Sequence, residues 1–473
     1  MDARLARGTG HAVNQSLLLR SGKTDGGDHV SAAGISFLTL LRSRPLLLLV
    51  TGAAAIVEYV AAAAGGPRPS RALFVHPFGA IAASSVFFRY LVEDRGGSAR
   101  KWIVYLSPLA FAPWFVLQSR GVPSPLPLLV MFVALGTLGV IGFVLAAYCA
   151  PNGDVRLRYV IRLIEALVLP VGASMLAFGL WSTYRINPVY DMRVYAFETI
   201  LGPQFSIIGV RIFHLLWPFS AIASGCYAAL PLGMMLAAVA QAEPRRQSTV
   251  LAASMVAGAC GFALYFVCPV VGPLSAFGAP YPHALPAVSP DASLMLAPIG
   301  APRNGMPSLH TVWALLIWFN ARPLPVMWRR ALRAFAIMNI WAAMGLDDTH
   351  WLMDVIVAVP LAVAVQSAVV TSRSDTSRHP WVDSAVCGAM TAMWLIGFRL
   401  GRPLLTLSLG AARMAALVTV AWPLAQQWRA DLRADRLRAR ITERAHGVDA
   451  PEFSPSASVI LESERVPPGG AAQ

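Results

Sequence analysis

Charge is scarce in this chain. Only 13% of its 473 residues are Asp, Glu, Lys or Arg, against roughly 25% in an average soluble protein. Hydrophobic residues make up 56% and the mean hydropathy is +0.58. A soluble fold of this length has no means of covering so much apolar side chain, which excludes a soluble enzyme, a disordered chain and a coiled coil. Serial ten-residue alternating segments are missing, which argues against an outer-membrane barrel. The five cysteines (Cys149, Cys226, Cys260, Cys268 and Cys387) show neither metal-ligand spacing nor a disulfide framework, so they read as apolar packing residues. Residues 1–34 lack the apolar stretch and small-residue cleavage site of a secretory signal. Lysine is confined to Lys23 and Lys101.

What is present is a succession of apolar runs of membrane-spanning length. They fall at about 45–64, 72–92, 102–119, 126–149, 160–183, 215–240, 248–270, 307–320, 331–347, 351–371, 381–398 and 404–425. The expected fold class is therefore all-α: a polytopic helical membrane protein with about twelve transmembrane helices. The net charge of +14 suggests nucleic acid in a soluble chain. Here the basic residues punctuate the apolar runs and read as topology control, with no nucleic-acid partner. With the N-terminus inside, Arg95, Arg100 and Lys101, then Arg156 and Arg158, then Arg245 and Arg246, then Arg322, Arg329 and Arg330 all fall on the inner side. The bias toward that side is about threefold, as the positive-inside rule requires of cytoplasmic segments. Both termini are then cytoplasmic. An arginine-dominated basicity suits a bacterial inner membrane.

Two outer loops are long, at roughly 184–214 and 271–306. The second half of the first is expected to lie as an amphipathic helix on the outer interface. The second is rich in proline and leads into Asn304-Gly-Met-Pro-Ser-Leu-His310. Pro307 suits the first turn of a helix, and a helix N-terminus offers free N–H groups to an anion such as phosphate. Ser308 adds a hydroxyl and Arg303 a guanidinium that suits phosphate. Taken alone, this segment reads more readily as a capped helix with an interfacial histidine. Further on, His350 and Asp354 stand four residues apart, on one helix face. The carboxylate can fix the imidazole tautomer and raise the basicity of its other nitrogen, or the two can be a purely structural pair. The chain descends from His310 through 307–320 and returns through 331–347, so His350 emerges on the face where His310 lies. Two histidines, an aspartate and a helix N-terminus at one membrane surface suit phosphoryl transfer.

Pro307-Ser-Leu-His310 followed by His350-x-x-x-Asp354 resembles the type 2 phosphatidic acid phosphatase superfamily, and more closely its inositol phosphorylceramide synthase-like branch, whose second motif reads Pro-Ser-Leu-His. The resemblance implies a six-helix catalytic core, expected at 160–371. Accessory helices then occupy 45–150 and 381–425, and the remainder is a disordered tail at 1–34 and a basic helix and tail at 426–473. It implies His350 as the nucleophile that forms a phosphohistidine, Asp354 as its orienting partner and His310 as general acid. Ser308 and Arg303 are the expected phosphate-binding residues. No metal or other cofactor is implied, and the partner is a membrane lipid that carries phosphate. Two family motifs are altered. The lysine and arginine of the first are absent from Cys268-Pro-Val-Val-Gly-Pro273, and Ala343 and Met344 stand where the third has Ser-Arg. Arg303 is the leading replacement, followed by Arg185, Arg193 and Arg211. Asp347 and Asp348 are a weak metal signal and are assigned to a polar loop. Glu58, Glu165 and Arg413 fall inside apolar runs; snorkelling explains Glu165 with Arg162, and Arg413 has no evident role. The competing reading is a proton-coupled transporter in which His350 and Asp354 relay protons.

Overall fold

The computed structural model describes residues 45–445, apart from 67, 95–96, 123–124, 242–243, 279–280, 284–293, 299, 346–349 and 370–379. The expected tails at 1–34 and 447–473, and Asp347 and Asp348, lie outside the described residues.

The described chain is helical throughout, with one isolated β-bridge between Val189 and Met295. Its helices of eight residues or more are α1 (Pro45–Ala63), α2 (Pro77–Glu93), α3 (Ser98–Leu106), α4 (Ala112–Ser119), α5 (Leu126–Tyr148), α6 (Gly153–Thr183), α7 (Asp191–Leu201), α8 (Phe205–Leu215), α9 (Phe219–Ala228), α10 (Leu230–Val239), α11 (Pro244–Tyr265), α12 (Leu309–Asn320), α13 (Val326–Gly345), α14 (Leu352–Val369), α15 (Pro380–Leu400) and α16 (Leu409–Ala445). Each apolar run of the sequence contains helix, but six spans in the described residues are long and apolar enough to cross a membrane, or up to seven if α8 and α9, bent by 111°, act as one. Fewer than the expected twelve meet that test of length and composition among the described residues, for local reasons. The run at 215–240 divides into α9 and α10, α12 is only twelve residues long, and α13 carries Arg329, Arg330 and Arg333.

The long loop at 184–214 carries helix in both halves, with α8 where the interfacial helix is expected. It folds into α7 and α8, and α7 is deeply buried through Val194, Tyr195, Phe197 and Leu201, in a core shared with α14, α15 and α16. A second core joins α6, α10, α11, α12 and α14.

Against these, α2 packs closely on α5. Gly136 and Gly139 of α5 face the backbone of Ala83 and Phe87, which a side chain at either glycine would strike; small residues are what allow helix backbones to approach in this way. At one end α2, α6 and α11 are tied by buried charge. Arg89 reaches Glu93 at 2.7 Å, Glu165 at 3.4 Å and Gln247 Oε1 at 2.8 Å, while Arg162 holds Glu165 at 2.8 Å. Glu165 is therefore the centre of a network and not one half of a snorkelling pair. Arg413 also has an account: its Nε donates to Leu201 O at 2.9 Å and closes the end of α7. Glu58 accepts hydrogen bonds from the N–H and hydroxyl of Ser70.

Candidate active site

The site forms where α12 and α14 begin. Their N-termini are joined by a backbone bond, Ser308 N–H to Asp354 O at 3.1 Å, so the two segments that the sequence separates by some forty residues meet at one end of the bundle. His350 precedes α14. Its Nδ1 faces Gly305 O at 3.1 Å and Asp354 Oδ2 at 3.4 Å. Both are acceptors, so Nδ1 carries the proton and Nε2 keeps its lone pair. Nε2 is buried and has no hydrogen-bond partner. Asp354 is held in turn by the Trp351 N–H at 2.8 Å.

His310 lies in the first turn of α12. Its ring stacks on Tyr227 at 3.7 Å, nearly parallel, and its centroid is 6.3 Å from that of His350. The two imidazoles are thus close neighbours at the start of α12 and α14.

Both expected phosphate ligands are buried and hydrogen-bonded within the protein. Ser308 is fully buried and is the N-cap of α12; its Oγ accepts from Thr311 N at 3.3 Å and Thr311 Oγ1 at 3.1 Å. The helix therefore begins at Leu309, two residues after Pro307, because the serine supplies the capping oxygen. Arg303 is also fully buried. Its guanidinium donates to Ile186 O and Pro298 O, each at 3.0 Å, to Ala301 O, and to Ala297 O at 3.4 Å and Asn187 Oδ1 at 3.5 Å. It braces the 184–190 loop against the 294–305 loop, beside the Val189–Met295 bridge, and it has no free edge for a phosphate. Arg193 donates to the carbonyls of Phe398 and Arg399. Arg185 and Arg211 are exposed.

Sequence reasoning missed two acids. Asp191 accepts from Val271 N at 3.0 Å, Gly272 N at 2.9 Å and the Trp351 indole at 3.0 Å. It thus fills with a carboxylate the backbone of the stretch that lacks the first-motif bases. Glu198 accepts from Ser206 Oγ at 2.5 Å and Met353 N at 3.1 Å, and Ser206 receives Leu352 N–H at 2.9 Å; together they cap α14. The available signal was a carboxylate set among apolar residues in Tyr195-Ala-Phe-Glu198. Burial pushes both carboxyls, which lie outside the membrane-length helices, up to about 7. The folded state then keeps protons that the unfolded chain has lost, so the stabilising contribution is full below about pH 4. It is lost as pH rises toward 7. We expect a higher thermal midpoint in detergent near pH 5 than near pH 8, and a flatter profile in the double variant Asp191→Asn, Glu198→Gln. An unchanged slope in that variant would assign the dependence to other groups.

The arrangement brings together an imidazole nitrogen without a hydrogen-bond partner, a second imidazole nearby and a helix N-terminus. Among the described residues no group of three or more His, Cys, Asp or Glu side chains is placed to hold a metal ion. Residues 193–368 match the family model of the PAP2 superfamily. That stretch runs from α7 into α14 and includes His310, His350 and Asp354; it leaves out α1–α6, α15 and α16. No protein of curated function and no solved structure matches the chain. The match and the apolar helices fit a membrane phosphatase-type protein.

Proposed function

We propose that this protein is an integral membrane phosphatase or phosphotransferase acting on a lipid phosphate or phospholipid headgroup. The observation that carries the reading is the unpartnered Nε2 of His350, with Nδ1 anchored on Gly305 O and Asp354 and the ring of His310 centred 6.3 Å away. The Nε2 lone pair attacks phosphorus and the bond from phosphorus to the lipid alcohol oxygen breaks. Protonated His310 gives its proton to that oxygen. His310, now neutral, next takes a proton from water or a second alcohol, whose oxygen attacks the phosphohistidine and frees Nε2. N–H groups of the first turn of α12 meet the phosphate charge, since Arg303 is engaged elsewhere. The Pro-Ser-Leu-His sequence supports an alcohol acceptor, as in the inositol phosphorylceramide synthase-like branch. The positive-inside bias supports a site at the outer, periplasmic leaflet of a bacterial inner membrane, with both termini cytoplasmic.

The test is phosphate release, or headgroup exchange when an alcohol is supplied, from a panel of lipid phosphates with chelator present. His310→Ala is expected to lose about 10²–10⁴ in rate with an alkyl alcohol as leaving group. It is expected to lose far less with a nitrophenyl leaving group, which departs without a proton. Equal losses on both would remove His310 from the acid role. Absence of any turnover, together with uptake that collapses with the proton gradient, would favour the transporter.

A further inference from the structure

A cavity of about 460 Å³ opens beside His310, within the size range of small-molecule sites. His310 is in its wall and His350 is not, so it extends from the His310 side of the histidine pair. Its body is apolar, built by Phe78 and Ile81 of α2, Leu176 and Leu180 of α6 and Phe262 of α11. Its polar groups include Asn304 and Tyr227 next to His310, and His76 at the start of α2. The wall from α2 and α6 lies outside the segment that matches the family model. It nevertheless touches the site: Phe78 stacks on Trp313 at 5.3 Å and meets the His310 ring edge-on at 6.0 Å. His76 carries a buried Nδ1 with no hydrogen-bond partner. Buried polar atoms are nearly always paired, and a ligand in this cavity would supply the missing partner.

We propose that α2 and α6 complete a binding site for the alcohol half of the substrate. The occupant is a long-chain alkyl alcohol whose chain lies along Phe78, Ile81, Leu176 and Phe262, and whose ester or hydroxyl group near the reacting oxygen is read by His76. The place of this site in turnover rests on the function proposed above. The geometry follows from that mechanism: the oxygen that His310 protonates belongs to the alcohol, and the cavity lies on His310's side. His76 and Phe78 are then specificity-determining residues contributed by a helix outside the family segment.

The experiment uses a diazirine-bearing hexadecanol, which has no phosphate, on the full chain in detergent. Labels are expected on peptides from 77–93 and 153–183, displaced by long-chain but not short-chain alcohols. Ile81→Trp, which fills the cavity, is expected to cut labelling several-fold and to raise KM for a long-chain phosphate while sparing a butyl phosphate. His76→Phe is expected to raise KM roughly five- to tenfold for an ester-bearing phosphate and to leave a plain alkyl phosphate unchanged. Labelling elsewhere, displacement indifferent to chain length, or equal losses on long and short substrates would overturn the proposal. Labelling needs no catalysis: chain-selective labelling of a protein that turns over no lipid phosphate would leave the alcohol site standing and defeat the enzyme reading instead.

Discussion

Replacing His350 with asparagine is expected to lower turnover of a lipid phosphate by about three orders of magnitude or more, while leaving the thermal midpoint close to that of the native chain. The two outcomes separate because the two nitrogens of His350 have different duties. Nδ1 is structural: it bridges Gly305 O and Asp354 Oδ2, and the asparagine amide can put an N–H in nearly the same place. Nε2 is the atom without a partner, and asparagine has no nitrogen there. Alanine at the same position removes both functions and leaves the Asp354 carboxylate buried with less support, so its loss of activity would come with a loss of stability. Initial rates and thermal midpoints of the two variants, measured side by side, check the division. An asparagine variant that retains a tenth of native turnover would mean that another group attacks phosphorus.

The second large effect is expected at Arg303, and it should appear in stability and not in substrate affinity. The guanidinium satisfies backbone carbonyls from both long loops, at Ile186, Ala297, Pro298 and Ala301, and the side chain of Asn187. Arg303→Ala strands these acceptors in a buried place, at a cost of about 2–4 kcal/mol. Arg303→Lys keeps the charge but not the planar fork, so it too should lose most of the brace. Gly305 lies two residues further on and holds both His350 and, through its N–H, Val270 O at 2.9 Å; slackening the loops therefore misplaces His350. The expected readout is a lowered midpoint, faster proteolysis in 184–190 and 294–305, and a fall in kcat. A clamp on phosphate would instead show a raised KM at unchanged stability, and that result would return Arg303 to the role the sequence suggested.

The parts of this site that were legible in the sequence are those written in local spacing or in helix order. The short interval from His350 to Asp354 brings the pair together, although His350 precedes α14 and so does not share a helix face with Asp354, and the return of the chain from His310 to His350 follows from two apolar runs and a basic turn. Whatever depends on backbone partners left no such trace. The partners of Arg303 are carbonyls, which every residue has, so an arginine near a motif looks like a phosphate ligand until the loops are folded. Asp191 and Glu198 receive backbone N–H groups from residues 80 and 155 positions away, beyond the reach of spacing arguments. The sequence leaves the start of α12 open by one or two residues because Pro307 and Ser308 are both good helix starters, and the serine's side chain decides between them. The helix count suffered for a related reason. Apolar composition marks a segment that avoids water without saying that it is one continuous helix of membrane-spanning length: α9 and α10 share one run through a break at Ala229, and α12 is only twelve residues long.

The most direct test of the phosphohistidine mechanism is to trap the intermediate. The full chain, mixed briefly with a lipid phosphate carrying labelled phosphorus and quenched in alkali, should retain label that survives base and is released by mild acid. The label should map to the peptide that contains His350, and the asparagine variant should lack it. Rapid product formation with no label on the protein, or label on a residue other than His350, would contradict the account.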